Sequence, residues 1–257
     1  MIGVFDSGVG GLTVLRALRE RMPQEDFVYL GDTARLPYGT KSPATIRRYL
    51  EQNIKFLRQF PVRAIVVACN SASSVLEPGE AFSVPVYDVI GPGAEAACRA
   101  SVGGKIAVLG TRATVSGGAY LARIRKLRPE ALVQQIACPL FVSIVEEGLE
   151  DDPIADRAAE LYLSGLTGVD TVILGCTYYP VLKRAIACVL GPDVLLVDSA
   201  ETLATALQSQ PGKPERGETR LHVTDASPAF LETAQRLYAP FGFASADLAD
   251  LGSPTVR

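Results

Sequence analysis

Five cysteines stand at positions 69, 98, 138, 176 and 188, with no CxxC pair among them. Two of the five share a setting. AIVVACNSAS closes an apolar run on Cys69, followed by Asn70 and Ser71; TVILGCTYYP closes another on Cys176, followed by Thr177 and Tyr178. A free thiol titrates near roughly 8.5, so either thiol can give or take a proton with modest tuning. Two thiols on opposite sides of one carbon suit racemisation. One removes the α-proton, and the other returns a proton to the opposite face. A single base would tend to put the proton back where it came from.

Other cysteine chemistry fits less well. A thiol nucleophile needs a histidine base, and the only histidine is His222, in an apolar tail segment. Thiol-protease and acyl-transfer chemistry is therefore disfavoured. The odd count and the spacing give neither a disulfide framework nor a zinc site, so reduced thiols in a cytoplasm are expected. Cys98, Cys138 and Cys188 sit inside helix or strand patterns and read as small hydrophobes.

The opening stretch Phe5-Asp6-Ser7-Gly8-Val9-Gly10-Gly11-Leu12 reads as a strand, a glycine-rich turn and a helix start. It is no dinucleotide fingerprint, because Thr13 stands where the third glycine belongs, and no Gly-Lys-Ser/Thr ending makes it a phosphate loop. What it offers is a turn whose backbone N–H groups can approach a carboxylate, with Asp6 beside it.

The elements that must position these groups alternate. Short apolar runs read as strands: Ile2–Phe5, Phe27–Leu30, Ala64–Ala68, Val84–Val89, Ile106–Leu109, Leu132–Ile136, Thr171–Leu174 and Val194–Val197. Between them lie stretches of helical period such as Leu12–Arg21, Pro43–Gln59, Gly117–Leu127 and Ile154–Thr167. Continuous apolar strands separated by helices predict an α/β fold with mostly parallel sheets flanked by helices.

The chain also repeats itself. Cys69 and Cys176 are 107 residues apart, Asp6 and Gly110 of matching runs 104 apart, and Asp88 and Asp198 of matching runs 110 apart. Two similar, pseudo-two-fold related α/β halves are expected, joined near the IGPG of Ile90–Gly93. A helix at Glu201–Ser209, a turn through QPGKPERG, a strand at Leu221–Thr224 and a helix at Pro228–Tyr238 make a tail too short for a third domain. It is expected to complete the first half, giving domains 1–91 plus 203–257 and 92–202. Ligands of parallel sheets lie beyond the carboxyl ends of the strands. Asp6, Ser7, Cys69, Asn70, Thr111, Cys176 and Thr177 fall at that edge, so the active site is expected between the halves.

Composition limits the partners. Hydrophobic residues make up 48% and charged residues 21% of 257, with a net charge of −3, which suits a core that needs no metal or disulfide. The basic stretch from Arg112 to Arg128 reads as a solvated helix face rather than a nucleic-acid footprint. No apolar run nears the roughly 18 residues of a membrane span. The opening MIGVF has no charged leader pattern, so no signal peptide is expected.

Together DSGVGGL, LPYG (Leu36–Gly39), VVACNSAS, PLFVSIVEEG (Pro139–Gly148), GCTYYP and VDSA, in this order, resemble the bacterial glutamate racemase family. The resemblance runs from Ile2 to about Thr224. It implies cofactor-independent interconversion of L- and D-glutamate for peptidoglycan synthesis, by a cytoplasmic protein that is commonly a homodimer. It implies Cys69 and Cys176 as the acid/base pair, with Asp6 and Glu146 as acidic helpers; the neighbouring Glu147 is the weaker claimant. Asp6, Ser7, Tyr38, Gly39, Asn70, Ser71, Thr177 and Tyr178 would line the substrate, with Thr111 and Thr114 adding hydroxyls.

Two positions depart from the family pattern. Ser71 replaces the threonine of ACNTAS and keeps its hydroxyl. Tyr178 replaces the histidine of GCTHYP. Histidine titrates near roughly 6.5 and a phenol near roughly 10, so Tyr178 can donate a hydrogen bond but hardly acts as base. Cys176 is therefore expected to be less reactive than Cys69. In the family the second cysteine generally works on L-glutamate, so L-to-D turnover is expected to suffer most. Two other readings remain at this point: a racemase-like protein that binds a small amino acid or a partner without useful turnover, and a racemase of another acidic amino acid such as aspartate.

Overall fold

The computed structural model describes residues 1–77, 79–207, 217–243 and 246–252. The last part of the expected 201–209 helix and most of the QPGKPERG turn lie outside the described residues.

Two parallel sheets carry the fold. In the first, β1 (Ile2–Asp6) lies between β2 (Phe27–Gly31) and β3 (Ala64–Val67), with β4 (Val86–Asp88) beyond β3. In the second, β5 (Lys105–Gly110) lies between β6 (Leu132–Ala137) and β7 (Thr171–Gly175), with β8 (Leu195–Asp198) beyond β7. The orders β2-β1-β3-β4 and β6-β5-β7-β8 are the same plan used twice, which is the repeat visible in the sequence. Every residue of β1, β2, β3 and β7 is buried. Helices on both faces exclude water from these strands, which is why they read as unbroken apolar runs. The tail adds β9 (Thr219–Val223) to the outer edge of β2, and β10 (Ala246–Leu248) to β9. The three residues of β10 carry no run long enough to be seen in sequence.

Helices connect the strands in order: α1 (Leu12–Arg21), α2 (Pro43–Leu57), α3 (Asn70–Ser73), α4 (Ile90–Ala100), α5 (Arg112–Gly117), α6 (Ala119–Leu127), α7 (Leu140–Glu146), α8 (Pro153–Leu163), α9 (Lys183–Leu190), α10 (Ser199–Ala206) and α11 (Pro228–Tyr238). α1 buries Leu12, Val14, Leu15 and Leu18, and it packs against α10 and α11. Its Arg19 is buried as well, which a guanidinium tolerates only when fully bonded. Its Nη1 donates to the Pro23 and Glu25 carbonyls, and Nη2 to the Glu218 carbonyl and the Thr219 hydroxyl. One buried cation thus ties the tail strand to the start of β2.

Several sequence expectations need correcting. The IGPG segment near which the halves were expected to join forms the first turn of α4, where proline is tolerated because first-turn N–H groups have no helical acceptor. Asp88 Oδ1 accepts the N–H groups of Ile90 and Gly91 there. The expected helix 117–127 is divided at Gly118, whose φ of +65° ends α5 and opens α6. The 84–89 strand narrows to β4, since Pro85 has no N–H to offer a ladder. Cys188 is exposed on α9, so burial does not explain it. The basic stretch is a solvated face as expected: Arg112, Arg125 and Lys126 are exposed.

Candidate active site

In each sheet the chain leaves the central strand on one side and returns on the other. β1 and β5 are therefore the points where strand order reverses, the usual ligand position in parallel sheets. Asp6 ends β1 and Cys69 follows β3; Thr111 follows β5 and Cys176 follows β7. These four strand ends, two from each sheet, converge on one narrow cleft.

Of the residues expected at the site, Asp6, Ser7, Tyr38, Gly39, Cys69, Asn70, Ser71, Thr111, Glu146, Cys176, Thr177 and Tyr178 line this cleft. Thr114 stands behind it. Ser71 and Thr111 share a hydrogen bond of 2.8 Å across the halves, and Thr114 bonds Thr111 at 3.1 Å. Tyr38 lines the wall, but its hydroxyl is directed away from it. It donates to Asp32 and accepts from Asn53 Nδ2, while Arg35 pairs with the same Asp32. The short turn Tyr38–Thr40 is anchored in the core by that network. Gly8, Leu36, Pro37 and Val142 also line the cleft and were not anticipated. Leu36 and Pro37 belong to the same LPYG motif, and Val142 is one helical turn before Glu146.

The glycines of the opening turn have a steric purpose. A Cβ on Gly10 would overlap the Thr177 hydroxyl, and one on Gly8 would sit 3.4 Å from the Tyr178 hydroxyl. The turn is thin because the second half packs directly against it. Thr13 Oγ1 donates to the Thr177 carbonyl at 2.9 Å, drawing the Cys176 loop onto the start of α1.

Burial dominates the electrostatics. Asp6 is 1% exposed; desolvation pushes its carboxyl up to about 6, although the Gly8, Gly11 and Ser7 N–H groups and the Thr177 hydroxyl oppose the rise. Cys69 is pushed up to about 12 by burial and then by the Asp6 charge, against bonds from the Ala72 N–H and from Ser7. Cys176 is raised by burial and by the charges of Asp6, Cys69 and Glu146; only the Tyr178 N–H opposes this among the leading causes. Both thiols are held neutral at physiological pH. Glu146 is raised by burial and accepts a 2.8 Å hydrogen bond from the Tyr178 hydroxyl. Tyr178, itself buried, is held far above the ordinary phenol range and stays a donor. Glu147 is exposed.

The remaining cysteines stay outside the cleft. Cys138 is buried, and Cys98 is half-buried in α4. His222 lies between the rings of Phe56 and Phe60, with burial lowering its pKa. It has no part in the site.

This arrangement has relatives. The family model described as Asp/Glu/Hydantoin racemase matches residues 11–207. This chain belongs to the aspartate/glutamate racemase family. Within it, the chain is 49% identical to the glutamate racemase of Thermus thermophilus over 245 residues, covering 92% of this chain and 91% of that one. A solved glutamate racemase isoform from Bacillus anthracis superposes with a TM-score of 0.92 at 37% identity, covering 98% and 97% of the two chains. A Francisella tularensis glutamate racemase solved with D-glutamate gives 0.88 at 35% identity, covering 97% of each. The expected α/β family fold is therefore correct, and the chain is an amino-acid racemase with a small-molecule substrate. Among the described residues no helix is long and apolar enough to cross a membrane.

Proposed function

We propose that this protein interconverts L- and D-glutamate by a two-thiol mechanism, with Cys69 and Cys176 as proton carriers on opposite faces of the α-carbon. The observation that supports it best is the delivery of both cysteines, from equivalent strand ends of a duplicated fold, to one cleft that also holds Asp6 and Glu146. In the L-to-D direction Cys176, as thiolate, takes the α-proton. The electron pair left on carbon then takes the proton of the Cys69 thiol. The product leaves with inverted configuration, and the two sulfurs have exchanged protonation states. In the D-to-L direction the roles reverse.

Desolvation keeps both thiols neutral without substrate, so the working thiolate must form as substrate arrives. Asp6 beside Cys69 and Glu146 beside Cys176 are our assigned proton acceptors. Ser7, Gly39, Asn70, Ser71, Thr111 and Thr177 are assigned to hold the substrate; Tyr38 and Thr114 support the walls. Two domains, 1–91 plus 203–257 and 92–202, are assigned to flank the substrate, and the extension of the first sheet by β9 and β10 supports giving the tail to the first. D-Glutamate for peptidoglycan, a cytoplasmic location and a homodimer belong to the same proposal; sedimentation of the purified protein tests the last.

Circular dichroism of purified protein with L-glutamate, D-glutamate and both aspartate enantiomers tests the reading. Both glutamate signals should decay to zero, with aspartate unchanged. Decay of the aspartate signals alone would assign a different substrate, and no decay at all would favour binding without turnover.

A further inference from the structure

Asn70 begins α3, is 2% exposed, and lines the cleft. Its two amide ends are treated differently. Oδ1 accepts a 2.8 Å hydrogen bond from the Tyr120 hydroxyl. Nδ2 is buried and has no hydrogen-bond partner within the protein. An unpaired buried donor is costly, so such a group in a cleft marks where a ligand acceptor belongs.

Tyr120 lies on α6, between β5 and β6 of the second sheet, whereas Asn70 follows β3 of the first. The tyrosine is fully buried among Ile90, Ala94, Val108 and Ile173, and its hydroxyl would lie 3.3 Å from a Cβ on Gly93. Gly93 has no Cβ there, which leaves the hydroxyl its place. Burial keeps its phenol protonated, with the nearby Asp88 charge adding to the effect. A protonated phenol bound at Oδ1 fixes which way the amide faces. With Oδ1 held, the two N–H bonds of Nδ2 face the cleft and suit a carboxylate. With the amide reversed, Oδ1 would face the cleft and suit an ammonium instead.

We propose that Tyr120 is a positioning residue that locks the Asn70 amide from across the two halves, so that Nδ2 presents its donors to a substrate carboxylate. This rests on the assignment of Asn70 to substrate binding. Because the phenol and the amide come from opposite halves, the donor is correctly aimed only when the halves are together.

The test is a double-mutant cycle of Tyr120→Phe and Asn70→Ala, with KM, kcat and thermal unfolding measured for glutamate. Tyr120→Phe should raise KM about fivefold, the effect of one misdirected hydrogen bond, and change kcat less than twofold. Asn70→Ala should raise KM more, and adding Tyr120→Phe to it should cause no further rise. A Tyr120→Phe KM equal to that of the parent, or an equal KM rise in the Asn70→Ala background, would overturn the lock. Asn70→Ala with unchanged KM would overturn the binding assignment itself, and the lock with it. Lower unfolding temperature with unchanged KM would show a packing role and also count against the proposal.

Discussion

Cys69 and Cys176 differ less in burial than in what stands beside them. Cys69 has bonds from Ser7 and from the Ala72 N–H at the start of α3, all favouring its thiolate. Cys176 has the Tyr178 N–H, with Asp6 and Glu146 charges opposing its ionisation. The phenol of Tyr178 donates its proton to Glu146 and does not serve as a base for Cys176. Tyr178→His should therefore raise kcat in the L-to-D direction about tenfold, less than the hundredfold or more of a fully placed general base, and kcat in the D-to-L direction less. Stopped-time circular dichroism in both directions checks it; an unchanged L-to-D rate would show that the phenol is no handicap. Asp6 carries a second prediction. Unfolded, it titrates near 3.8; folded, near 6. Between those values the folded state holds the extra proton, so the stability contribution of Asp6 is lost as pH rises through 6. Asp6→Asn should stabilise the fold by about 3 kcal/mol at pH 8, the gain shrinking as pH falls from 6 and nearly gone by pH 4, while racemisation collapses. Urea unfolding at both pH values measures this; a gain that does not depend on pH would contradict it.

At the scale of elements, what was legible in the sequence was what period and punctuation encode. α1 and α11 have the bounds expected of Leu12–Arg21 and Pro228–Tyr238, because amphipathic spacing and an N-terminal glycine or proline mark them. β4 was overextended because Val84 and Val86 look alike until Pro85 removes a ladder donor. The site was legible wherever a strand end carried a polar residue, as at Asp6, Cys69 and Cys176. It was not legible where a helix or turn approached from elsewhere. Val142 on α7 looks like any core valine, and Tyr120 like any core aromatic on α6. The turn Tyr38–Thr40 shows how little room the cleft has: a Cβ on Gly39 would sit 2.6 Å from Thr111 Cβ of the second half. Gly39→Ala should wedge the two walls apart and lower kcat/KM about a hundredfold, as misplacement of about 1 Å does, with little change in unfolding temperature. Steady-state kinetics with a melting curve check this; normal kcat/KM would mean the walls yield freely.

For the whole molecule, duplication is the organising fact. One strand plan, used twice, brings a cysteine from each copy to the same place, and bonds such as Ser71–Thr111, Thr13–Thr177 and Asn70–Tyr120 hold the copies together. The repeat spacing in the sequence showed that the cysteines are equivalent. It could not show that Asp6 influences both thiols, because that needs the two strand ends in one cleft. The tail strand completing the first sheet was foreseen from its length alone, while the buried Arg19 that ties it in was not, since an arginine on an amphipathic helix reads as solvated. The two-thiol mechanism is tested most directly in heavy water. L-Glutamate is incubated with the parent protein, Cys69→Ala and Cys176→Ala, and α-carbon deuterium is followed by NMR with the enantiomers resolved. The parent should give D-glutamate carrying deuterium, and both variants should lose racemisation by at least about a hundredfold. Cys69→Ala should still wash deuterium into L-glutamate without inverting it, and Cys176→Ala should not. Racemisation surviving the loss of either cysteine would contradict the account.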